Sequence, residues 1–143
     1  MQRWTSDPLD LPMAREHVAR AHLEFQDTRV DGPSFTAYTF LNAGRELPAD
    51  AGRDHPSFAG AFTVFAYGDC WGTEGHCDWM RPSLSPFDRR PEHHLQPVTF
   101  TVDITDALPD EREIVVTVHA AHLTDREATE VVRFERLALY AYQ

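Results

Sequence analysis

At 143 residues, with 42% hydrophobic side chains and nine phenylalanines, the chain has the size of one domain. It can bury roughly two-thirds of the surface that its unfolded form exposes. Twenty-three acidic against 13 basic side chains give a formal charge of −10, which speaks against a nucleic-acid partner, since binding a polyanion requires clustered cations. All 13 basic residues are arginine, so lysine Schiff-base catalysis and the phosphate-binding P-loop are excluded.

The opening residues, MQRWTSDPLDLPMAREH, contain no apolar run of signal-peptide length, and no stretch anywhere approaches the ~18 consecutive apolar residues of a membrane span. The expectation is a cytoplasmic protein with no membrane partner. In a reducing cytosol Cys70 and Cys77 are by default two thiols. Residues 1–16 are polar and contain proline, and are expected to form an irregular arm ahead of a single domain over 17–143.

From Val18 to Phe25 the residues alternate, with Ala19, Ala21, Leu23 and Phe25 on one parity and Arg20, His22 and Glu24 on the other. This is the pattern of a half-buried strand, with an amphipathic helix over 14–26 as the competing reading. Asp31-Gly32-Pro33 marks a turn. Ser34 to Asn42 reads as a second strand with aromatics on both parities, covered on both faces. Residues 43–57, AGRELPADAGRDHPS, read as a long polar surface loop.

Phe58 to Tyr67 is a third strand, apolar on both faces. Gly68 to Leu95 follows, 28 residues without periodicity, and an aperiodic segment of that length in a small domain is usually functional. In Val98 to Ile104 the residues Val98, Phe100, Val102 and Ile104 are expected to face inward. Thr105 to Leu108 reads as one helical turn capped by Thr105. A strand over Ile114 to Leu123, a turn over 124–130 and a closing strand over Val131 to Tyr142 complete the chain. Six strands without interleaved long helices predict an all-β fold: a single antiparallel β-sandwich, jelly-roll-like, with long loops.

Three pieces carry a family resemblance. Phe58-Ala59-Gly60-Ala61-Phe62 follows an extended segment ending in Leu41-Asn42, and the tail reads Ile104-Thr105-Asp106-Ala107-Leu108, then Ile114-Val115-Val116-Thr117-Val118, then a last aliphatic–aromatic strand. Over residues 18–142 the chain resembles the carboxy-terminal domain of the tyrosinase and polyphenol oxidase family. In that family the domain is a β-sandwich that sits over the dinuclear copper site of a separate helical domain and shields it. The resemblance implies a stand-alone relative of the shielding domain, an accessory or interaction module beside a copper oxidase or related biosynthetic enzyme. Its partner would be a protein with a helical dicopper site, and its contact surface residues 68–80. The Lys-Phe-Asp-Val tetrad of the plant enzymes is absent; the corresponding strand reads Thr36-Ala37-Tyr38-Thr39, and no blocking residue is carried over.

The residues with distinctive chemistry concentrate in GDCWGTEGHCDW, 68–79. A small cofactor-independent enzyme, of cyclase, isomerase or hydrolase type, could use His76, Asp78, Asp69 and Glu74 as acid–base groups. Trp71, Trp79, Tyr67 and Phe65 would then hold an aromatic or apolar small molecule. Cys70, Cys77 and His76, with His55 from a nearby loop, form a set suited to copper or zinc, although the Cys-x6-Cys spacing is wider than that of zinc knuckles. The expectation is no cofactor, with copper or zinc as the alternative. His119 and His122 stand i to i+3 on one strand and so point to opposite faces. A Cys70–Cys77 disulfide would close an eight-residue loop worth ~2–3 kcal/mol, and the plain alternative is that both pack as small hydrophobes. Arg81 to His94, rich in proline and arginine, reads either as a partner-binding arm or as a surface loop.

Overall fold

The computed structural model describes residues 2–30, 32–44, 46–65, 87, 97–123 and 132–143. Its strands are β1 (Gln2–Thr5), β2 (Leu9–Asp10), β3 (Arg20–Thr28), β4 (Phe35–Leu41), β5 (Phe58–Val64), β6 (Val98–Asp103), β7 (Glu113–Ile114), β8 (Val116–His122) and β9 (Arg136–Tyr142). Among the described residues the only helical pieces are two 3₁₀ turns, Arg15–His17 and Thr105–Ala107. The strands form a four-stranded sheet of order β1-β8-β4-β5, a three-stranded sheet of order β6-β3-β9 and a ribbon of β2 with β7, every pairing antiparallel. The chain is all-β, and its two larger sheets pack face to face.

Period-two alternation decides β3 in favour of strand over helix. Ala21, Leu23 and Phe25 are fully buried, while Arg20, His22, Glu24 and Gln26 line the outer face. The Phe25 ring lies 4.8 Å from Phe62 on the facing sheet and 5.2 Å from Phe134, and Phe62 stacks on Phe100 at 4.8 Å. At Gly60 the sheets approach closely, since a Cβ there would stand 2.5 Å from Val102 Cγ1. A bulge interrupts the β3–β6 ladder between Phe25 and Thr28, with Asp27 in the left-handed region at φ 54°. Val98, expected to face inward, lies beyond this bulge and is 42% exposed, because the extra residue breaks the regular ladder there.

Residues 1–16, expected to be irregular, instead contribute β1 and β2. β1 pairs with β8 from Gln2↔Ala120 to Thr5↔Thr117, and Trp4 packs edge-on against Phe134 at 4.8 Å. The expected single strand from Ile114 is broken at Val115 into β7 and β8. Nor does Thr105 cap its turn: its hydroxyl donates to Asp103 Oδ1 at 2.6 Å and accepts from the Ala21 N–H at 3.0 Å, tying the turn to β3.

β4 is covered on both sides, as its aromatics on both parities imply. Phe35, Ala37 and Leu41 enter the core between the sheets. Phe40, on the other parity, is fully buried beneath residues 43–57. This segment is therefore not a plain polar surface loop. Leu47 and Ala51 are buried in a second apolar cluster with Phe40, which Tyr38, Ala43 and Phe58 flank. Successive turns, Ala51 N–H to Pro48 O, His55 N–H to Gly52 O and Phe58 N–H to His55 O, fold the segment into a strap that aims its few apolar side chains at the sheet.

The strap departs from a pinned corner. Asn42 adopts a left-handed φ of 48° and donates its backbone N–H to Val115 O at 2.9 Å. Its side chain accepts the Val115 N–H at 2.7 Å and donates to Glu113 O at 3.2 Å. Asn42→Ala loses both side-chain bonds and places a residue less tolerant of that backbone there. Urea denaturation is expected to show a loss of about 1–2 kcal/mol; an unchanged midpoint would mean that the corner is held by the backbone alone.

Candidate functional site

Two of the sequence-predicted site residues fall within the described structure, and they lie apart from one another in different settings. Phe65, expected to hold a small aromatic molecule, follows β5 and is 76% exposed. His55, the expected fourth metal ligand, sits in the strap with its ring 5.7 Å from Phe40 and its Nδ1 accepting the Ser57 N–H at 3.2 Å. His76, Asp78, Asp69, Glu74, Trp71, Trp79, Tyr67, Cys70 and Cys77 lie outside the described residues, as do Asp31 of the expected first turn, the turn over 124–130 and the segment 81–94 apart from Phe87. Among the described residues no group of three or more His, Cys, Asp or Glu side chains converges as a metal site, and no helix is long and apolar enough to cross a membrane.

The described residues bring together two constellations that the sequence reading did not select. The first lies on the outer face of the three-stranded sheet. His22 pairs across β3–β9 with Tyr140, and Arg20 with Tyr142. The imidazole stacks 5.2 Å from the Tyr140 ring and 5.6 Å from the Tyr142 ring, near-parallel to both. His22 Nε2 donates to Glu24 Oε1 at 3.3 Å, and Gln26 Nε2 donates to Glu24 Oε2 at 2.9 Å and to Tyr140 Oη at 3.3 Å. The Gln26 bond, more than the bond and charge of His22, holds the Glu24 carboxyl below its ordinary range against some desolvation. At the sheet margin Arg20 pairs with Asp103 at 3.4 Å. Hydrogen bonds from the Thr105 hydroxyl and N–H hold Asp103 below its ordinary range. The constellation is thus a histidine oriented by a carboxylate and flanked by two tyrosine rings. It lies open on a sheet face, whereas catalysis generally needs a site closed to water.

The second constellation lies under the strap. His119 is 1% exposed, and its Nδ1 has no hydrogen-bond partner. The ring packs 5.3 Å from Phe40, with Arg3 and Tyr38 as its register neighbours on β1 and β4. Burial, then the charges of Arg3 and His55, push its pKa below the ordinary value. His119 and His122 lie on a strand three residues apart, so they do not converge.

Both constellations left a trace in the sequence. The polar parity Arg20-His22-Glu24 marks the first face, and Tyr140 and Tyr142 share a parity on the last strand. For His119 no local signal exists, because its burial comes from a segment more than 60 residues away in the chain.

Two grooves lie on the described surface. One of about 680 Å³ runs along the seam of the sheets by Arg20, Phe58, Asp103 and Asp106. The other, of about 710 Å³, lies beside Arg3, Asn42, Glu113 and Thr117.

Neither a protein-family model nor a curated protein sequence matches the chain. Solved structures do match it in fold. Recombinantly expressed latent aurone synthase, a polyphenol oxidase, superposes with a TM-score of 0.57 at 14% identity, over 98% of this chain and 24% of the other. The same enzyme co-crystallised with hexatungstotellurate(VI) gives 0.57 at 13%, again over 98% and 24%. After a further soak in H2O2 it gives 0.58 at 14% with the same coverage. This chain thus spans about a quarter of the length of the polyphenol oxidases that it matches, and over that quarter it has their fold, as the resemblance of its strands implies.

Proposed function

We propose that this β-sandwich is an accessory module that acts beside a copper oxidase or a related biosynthetic enzyme in the cytoplasm. The observation that carries the reading is the coverage: nearly all of this chain corresponds to a minor part of a polyphenol oxidase. In the family that the strands resemble, the copper ligands belong to the helical domain, and the sandwich acts by covering it. The module's contact surface is the segment 68–80, where two tryptophans and three carboxylates accompany the cysteines. Tryptophan is enriched where protein surfaces meet, which supports this assignment.

The test is purification of the tagged chain from its native host, followed by copper analysis and an assay of catechol oxidation. A retained copper protein is expected, its oxidation rate falling when extra purified chain is added. Recovery of the chain without a copper protein would overturn the reading. Turnover of a phenol by the chain alone, lost in His76→Ala, would replace it with that of a small enzyme.

A further inference from the structure

We propose that residues 43–57 form an acid-released latch, in which protonation of His119 lifts the strap from the four-stranded sheet and uncovers the aromatic surface of Tyr38, Phe40 and Phe58. The closed latch is held by a small apolar contact, Leu47 and Ala51 on Phe40. Polar clamps near its two ends assist it, the Arg3 guanidinium donating to Gly44 O and the Leu41 N–H donating to Ser57 O, both at 2.9 Å. A contact of two apolar side chains is weak beside the main core, so the strap can open without unfolding the sandwich.

His119 is the group that makes this opening sensitive to acid. Its buried ring has an unpartnered Nδ1, and a proton placed there would have no acceptor. The groups facing it add to the penalty. Arg3 on β1 and His55 in the strap act on it as positive charges, and Tyr38 on β4 is its neutral cross-strand neighbour. The strap's carboxylates, Glu46, Asp50 and Asp54, are exposed and face solvent. Closed, the site therefore favours neutral imidazole; open, His119 is wetted and titrates near the ordinary ~6.5. Acidification through that value favours the open form, because the open form binds one more proton.

Amide hydrogen exchange read by mass spectrometry, corrected for intrinsic rates, tests the latch on the whole chain at pH 7.5 and 5.0. Peptides from 43–57 are expected to lose protection by about 30-fold between the two, the factor for one proton taken up only by the open form, while β3 and β8 hold theirs. His119→Gln should flatten this response, as should His119→Phe, which fills the site without a titratable nitrogen. Equal loss of protection in β3, β8 and the strap would mean global acid unfolding and overturn the proposal. So would a strap indifferent to pH, or a response that survives in both variants.

Discussion

Phe25→Ala is expected to lower the unfolding free energy by about 3–5 kcal/mol, the usual cost of removing a phenylalanine from a core. The side chain is fully buried and bridges the sheets, touching the rings of Phe62 at 4.8 Å and Phe134 at 5.2 Å. Its direct partner on β6 is Phe100, which itself stacks on Phe62. The truncation therefore leaves a cavity walled by rings fixed on three different segments, and such walls collapse poorly. Against a total of about 5–15 kcal/mol for a domain of this kind, the variant would stand near its unfolding threshold at room temperature. Phe25→Leu should cost far less, since it retains most of the volume. A loss below about 1 kcal/mol for the alanine variant, by urea or thermal denaturation, would show that the rings close over the gap.

Gly60→Ala is the second large effect, and it acts in the opposite sense, by overfilling. The added methyl would stand 2.5 Å from Val102 Cγ1, a buried, β-branched side chain with little rotamer freedom. Either the valine leaves its rotamer or β5 moves away from β6, at a cost of about 1–3 kcal/mol. The partner substitution supplies the check. Val102→Ala alone opens a cavity and destabilises; combined with Gly60→Ala, the new methyl occupies part of that space. The double variant should thus be more stable than the sum of the single losses allows. Strict additivity would mean that the two side chains do not meet.

Gly60 also shows how sequence and structure correspond here. The run FAGAF is visible as a strand from its apolar residues, but nothing in it says that the glycine is a spacer between sheets; that emerges only when β6 is laid against it. The same holds more widely. β3, β4, β5, β6 and β9 were legible because each carries its own alternation or apolar run. β1 and β2 were not, since four and two residues give too few periods to read, and their partners lie more than 100 residues on. The strap reads as a plain polar loop because its polar composition outweighs Leu47 and Ala51, whose burial depends on Phe40 being presented to them. Of the candidate site, the polar parity of β3 is visible as Arg20, His22 and Glu24, but its meaning requires Tyr140 and Tyr142, brought alongside by a pairing across about 120 residues.

That pairing has a bearing on how the protein is made. β3 is the central strand of its sheet, and its two neighbours, β6 and β9, are both C-terminal to it by about 70 residues or more. As the chain leaves the ribosome, β3 has no sheet partner until β6 emerges, and it stays one neighbour short until β9 has been synthesised. Until then the apolar side of Ala21, Leu23 and Phe25 is uncovered beside unpaired backbone, which is the state most prone to association with other nascent chains. Slowing elongation would prolong this exposure, and a chaperone that holds extended apolar segments would find its natural target in β3.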